Sequence, residues 1–178
     1  MIILRNKEFS KEDLSKFRSK YGIEYNEDDD NENSLRKELY EKSGKIPLRA
    51  FKNKEKVSYS GATEISRAKT QELKDHFEGK ESKSDEEIVT SAKKHAKNKG
   101  RIIGGSVGSL AGAGAGMLLS KGKKPNWIKA GIGAVAGGTV LGHSAGKKFE
   151  KSAKKDIDEL LTRRNAATDE YKKLKSKK

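Results

Sequence analysis

Apolar positions change their spacing twice along this chain. Through residues 1–99 they recur at threes and fours among charged neighbours, which predicts short polar helices. Ser10-Lys-Glu-Asp13 has the form of a capping box with Asp in place of the usual Glu, and Leu14 and Phe17 follow it. Asn33 or Ser34 is placed to cap a second helix running to about Ser43, with Leu35 and Leu39 on one face and Gly44 as its stop. Ile46-Pro47-Leu48 breaks helix, and Val57-Ser58-Tyr59 reads as a brief extended piece. Thr63 opens a third helix carrying Ile65, Ala68, Leu73 and Phe77, ended by Gly79. Ser84-Asp-Glu-Glu87 is a second capping box, and its helix runs to about Lys99 with acids at the start and lysines at the end, as the helix dipole prefers. None of these helices has enough apolar surface to fold alone. Residues 1–99 therefore read as a polar helical docking region that packs on itself or on a protein partner.

The pattern then shifts. Residues 102–120 hold no charge between Arg101 and Lys121, and residues 130–146 hold none between Lys129 and Lys147, with His143 the one ionisable group. A nineteen-residue helix is about 28 Å long, close to the ~30 Å hydrocarbon thickness of a bilayer. The basic turn between these spans carries helix breakers and Trp127 as an interfacial anchor. Small residues are regularly placed: Gly104, Gly108, Gly112 and Gly116 in the first span, and Ala130, Ala134, Gly138, Gly142 and Gly146 in the second. Four residues of α-helix turn about 400°, so each series stays near one face and lets two backbones approach. A flexible Gly/Ala linker is the plain alternative, but Ile103, Val107, Leu110 and Leu118 sit beside the period.

Energetics favour an environment other than bulk water. Six glycines lie in residues 102–120. Each costs roughly 0.8–1 kcal/mol against Ala in an exposed helix, about 5 kcal/mol together. A bilayer forces helix because unpaired backbone groups cost several kcal/mol there. Large apolar side chains are nevertheless few, so insertion is marginal, and the expectation is a hairpin able to pack in protein as well as in lipid.

Residues 147–178 return to a charged amphipathic pattern. Phe149, Ala153, Ile157, Leu160, Ala167, Tyr171 and Leu174 form a partner-packing face interrupted at Arg164, and the end is a basic tail. The expected fold class is thus all-α, with short polar N-terminal helices, a transmembrane-type hairpin at 100–146, and a long C-terminal helix.

Charge sharpens this division. Residues 1–90 carry 19 basic and 20 acidic side chains, whereas residues 91–178 carry 21 and 6, so the net +14 lies in the second half. Of 18 glycines, 14 fall between Gly100 and Gly146. Arg101, Lys121, Lys123, Lys124, Trp127, Lys129, Lys147 and Lys148 are the expected membrane-interface residues, suited to anionic headgroups. Both ends are basic, so orientation is left open.

Catalytic chemistry has little to rest on. Without cysteine there is no disulfide, thiolate metal site or cysteine nucleophile. The acidic run 27–32 lacks the Gly and Glu that a calcium loop needs at positions six and twelve. Gly131-Ile-Gly133-Ala-Val-Ala136 matches a dinucleotide fingerprint, yet no strand precedes it. His76 and His95 are read as surface residues, while His143 inside a span would tune insertion with pH or sit at its headgroup end. Three consecutive apolar residues near Met1 are too few for a secretory leader core. No enzyme, metal or cofactor is expected.

The paired spans resemble glycine-zipper membrane domains of bacterial envelope proteins and of proteins that traverse membranes. The opening Met1-Ile-Ile-Leu-Arg-Asn-Lys-Glu-Phe-Ser10 is similar to that of minor virion proteins from bacteriophages of gut bacteria. Together these imply a virion or ejected protein whose hairpin engages a host membrane during genome entry.

Two functions follow as expectations. In the first, the hairpin oligomerises in a bilayer as anchor or conduit, with lipid and further copies as partners. In the second, the chain is a basic structural protein that binds nucleic acid or packs within a virion or other assembly. Only Trp127, Phe149 and Tyr171 accompany the basic half, which disfavours base stacking but leaves phosphate contact open.

Overall fold

The computed structural model describes residues 10–24, 30–54, 56–118 and 127–176. Among them the fold is all-α: α1 (Lys11–Tyr21), α2 (Asp30–Ser43), α3 (Tyr59–Phe77), α4 (Asp85–Leu118) and α5 (Trp127–Ser176), with a 3-10 turn at Leu48–Ala50 and no strand. They form two compact units. The first comprises Met1–Val57, Ile65–Ile88 and Asp156–Lys178, and the second comprises Ser58–Glu64 and Val89–Lys155. These divisions fall elsewhere than at residues 99 and 146, because α4 and α5 each continue unbroken past those points.

Helix boundaries follow local chemistry. Ser10 accepts from the Asp13 amide at 3.1 Å, and its hydroxyl donates to the Asp13 carboxylate, so only half of the capping box forms. At Ser84 the box is reciprocal, with Glu87 N–H to Ser84 Oγ at 3.3 Å and Ser84 N–H to Glu87 Oε2 at 2.9 Å. Gly44 and Gly79 stand at φ +65° and +67° just past α2 and α3, where the sequence places the stops. Other starts come earlier than expected. α3 begins at Tyr59 rather than near Thr63, because Ser58 Oγ caps it by accepting from the Gly61 amide at 3.0 Å. α2 begins at Asp30, so Asn31 and Glu32 of the acidic run are helical, and residues 25–29 lie outside the described residues.

The first unit owns a core built from distant segments. Leu14, Phe17, Ile46, Leu48, Phe51 and Ile157 are buried together with Leu160 and Tyr171 of α5. Tyr171 meets Phe17 at 6.3 Å and Tyr40 edge-on at 5.4 Å between ring centroids. Arg164, 3% exposed, interrupts the apolar face of α5 because it pairs with Asp85, which also accepts from Asn165 at 2.7 Å and Lys45 at 3.0 Å.

One expectation fails outright. No helix among the described residues is long and apolar enough to cross a membrane. The transmembrane hairpin, the membrane-associating function and the membrane location expected from it fall together. The reason is composition: twelve glycines occupy residues 102–118 and 130–146, and glycine adds no side chain to exchange for hydrocarbon. An uncharged run of membrane length is not the same as an apolar one.

Candidate docking surface

Within the second unit, α4 and α5 approach backbone to backbone in antiparallel register. A β-carbon on Gly100 would lie 2.7 Å from the Ala145 carbonyl oxygen, and one on Gly104 would lie 2.5 Å from that of Leu141. Added to Gly108, Gly112 or Gly116, it would overlap the carbonyls of Gly137, Gly133 and Lys129 in turn. The descending partner numbers define the antiparallel order. Such distances exclude any side chain, so glycine here is a packing requirement.

The seam differs in detail from the small-residue series read in the sequence. On α4 it starts earlier, with Ala92, Ala96 and Gly100 buried ahead of Gly104, and the helix passes through Gly100 without a stop. On α5 the nearest approaches come from Gly133, Gly137, Leu141 and Ala145, which the series Ala130, Ala134, Gly138, Gly142 and Gly146 did not include. Ala130, Gly142 and Gly146 are buried and Ala134 and Gly138 are half-buried, so both series border the seam. A β-carbon on Gly138 would press on Ser109, and one on Gly142 would lie 3.0 Å from the Arg101 carbonyl. The 133–137–141–145 row keeps the same four-residue spacing, but Leu141 hides it from a search for small residues alone.

With the seam closed on itself, the large apolar side chains face outward. Ile103, Val107, Leu110 and Met117 of α4 are exposed, Leu110 by 77%, and so are Ile128, Ile132 and Val135 of α5, Ile132 by 65%. The α4 set, with Gly114, is spaced 4-3-4-3, the repeat of a helix that packs along another helix. The α5 set is spaced four then three. The α4 spacing lies within the uncharged span 102–120 of the sequence. Exposed apolar side chains contiguous over several turns mark interaction surfaces on proteins.

Cations dominate the sequence of the second unit. The second unit holds 14 Lys and Arg against Glu64 and Glu150, so it carries +12 of the chain's +14. Glu150 is paired with Lys97 at 3.0 Å, and that hydrogen bond, with Lys93 and Arg101 nearby, holds its carboxyl below the usual range. Lys99 stands 4.4 Å over the Tyr59 ring, which meets Phe149 edge-on at 6.5 Å. Arg101, Trp127, Lys129, Lys147 and Lys148 are exposed, as is His143. Lys121, Lys123 and Lys124 lie outside the described residues, as do residues 1–9. The groups expected at a membrane interface therefore flank no membrane-spanning helix among the described residues.

The first unit holds the two most strongly shifted carboxyls. Burial pushes Glu72 up to about 7, although Arg164 and the Leu48 and Arg49 amides pull the other way; the Leu48 N–H donates to it at 2.8 Å. Burial also acts on Asp85, but hydrogen bonds from Asn165, Lys45 and Arg164 win and bring it down to about 2. Both are tied to backbone or to cations. A cleft near Lys54, Asp156, Glu159 and Arg163 encloses about 20 Å³, room for one water molecule. Among the described residues, no three His, Asp or Glu side chains converge as metal ligands.

No protein family, curated protein or solved structure matches the chain.

Proposed function

We propose that this chain is a non-enzymatic structural protein that builds into a larger protein assembly through its second unit. The first unit, with a core of its own, is the folded body, and the α4–α5 pair is the docking arm. One observation carries this reading: the arm closes its glycine seam internally yet leaves Ile103, Val107, Leu110 and Met117 exposed at helix-packing spacing. Burying one such side chain is worth roughly 1.5–3 kcal/mol. A further copy packed on the seam, as in an oligomeric zipper, has no room, because α5 already fills it.

A sedimentation experiment tests the reading. The full chain, tagged in the cells that make it, is expected to sediment with a high-mass assembly. A Val107→Lys/Leu110→Lys variant is expected to shift to the low-mass fractions with its helical circular dichroism intact. Sedimentation of the wild-type chain as a lone monomer would contradict it.

A further inference from the structure

We propose that the α4 stripe of the docking arm receives an acidic amphipathic α-helix from another protein. This rests on the docking reading and adds the chemistry of the occupant. Ile103, Val107, Leu110 and Met117 extend over about 21 Å of helix at 1.5 Å per residue. That length accepts about four turns of a partner helix, two heptads of knobs. Gly114, within the same stripe, has open space where a side chain would begin, which leaves a hole for a partner side chain.

Charge selects among possible occupants. No charged residue lies between Ile102 and Leu118, while Arg101 and the lysines before it stand at one end. The unit carries +12, and of its two carboxylates Glu150 is already engaged by Lys97. A helix with an apolar stretch and an acidic end satisfies both features at once. A second copy of this arm would bring +12 against +12. A nucleic-acid duplex presents a charge about every 1.7 Å and would lie over some 21 Å of surface offering it no cation.

The test uses the full-length chain and a labelled synthetic helix of about four turns, with Leu at its a and d positions and three Glu at each end. A matched peptide carries Lys at those ends, and a 20-base-pair duplex serves as the polyanion. Fluorescence anisotropy is expected to show the Glu peptide binding at least 20-fold tighter than the Lys peptide. Its affinity should fall at least tenfold between 50 and 500 mM salt. Leu110→Lys, which adds a cation while removing the apolar contact, is expected to weaken binding at least tenfold. Phe77→Lys, at an exposed aromatic of the first unit, should leave it unchanged. Equal binding of the two peptides, or binding of the duplex alone, overturns the acidic-helix proposal. Concentration-dependent dimers of the chain by itself, abolished by Leu110→Lys, overturn it too while upholding docking through the stripe. Indifference of every ligand and of self-association to Leu110→Lys overturns both.

Discussion

Gly112 and Gly133 each stand where a β-carbon would overlap the other's carbonyl oxygen. The contact is reciprocal, so neither helix can yield by a rotamer change, and only a shift of backbone makes room. Gly114 and Gly131, two positions away on their respective helices, face open space.

These four glycines give opposite predictions for one substitution. Gly112→Ala is expected to destabilise the second unit by about 2–3 kcal/mol, because overpacking against backbone has no cheap relief. Gly114→Ala is expected to stabilise it by about 1 kcal/mol, since a helical position with free space gains alanine's propensity. Urea denaturation of the two variants beside the wild type separates them. Equal effects would remove the seam from the account.

Asp85 is expected to set the acid side of stability in the first unit. Its folded value, about 2, lies below the ordinary 3.8, so its contribution is complete above about pH 4 and is lost as pH falls towards 2. Asp85→Asn should cost about 3 kcal/mol at pH 7, where Arg164 keeps its charge without a carboxylate. The gap between variant and wild type should narrow as denaturation is measured at pH 4, 3 and 2.

Glu72 works in the opposite sense. Its folded value, about 7, lies above the ordinary 4.5, so the protonated form is the stabilising one. Stability should decline as pH rises from about 4.5 to 7, by an amount on the order of 3 kcal/mol. Glu72→Gln keeps an acceptor for the Leu48 amide and should flatten this decline. It is expected to match the wild type at pH 4 and exceed it at pH 8. A wild-type profile without slope in that window would contradict the burial of this carboxyl.

Capping at Ser84 offers a smaller effect. Ser84→Ala removes one side of the reciprocal box and is expected to lower thermal stability by about 1 kcal/mol.

Local signals were the legible part of this fold. Gly44 and Gly79 punctuate helices because only glycine enters the left-handed region cheaply, and that is visible in any sequence. Gly100 answers to a different requirement, the close approach of the Ala145 carbonyl, a distant contact that no local pattern shows. Arg164 looked like a gap in an apolar face, and its partner Asp85 is 79 residues away. The first unit is assembled from three separate stretches of chain, which periodicity within a stretch does not reveal. The uncharged span 102–120 suggests affinity for lipid, yet over residues 102–118 its glycines lie against another backbone and its larger side chains face outward.

Backbone hydrogen exchange of the full chain in plain aqueous buffer, with neither lipid nor detergent, tests the central claim most directly. If α4 and α5 close on each other through their glycines, the amides of residues 104–116 and 130–146 will exchange slowly, and Gly112→Ala will speed both stretches together. Rapid exchange throughout those residues in the unsubstituted chain would contradict the paired arm and every inference drawn from its outward face.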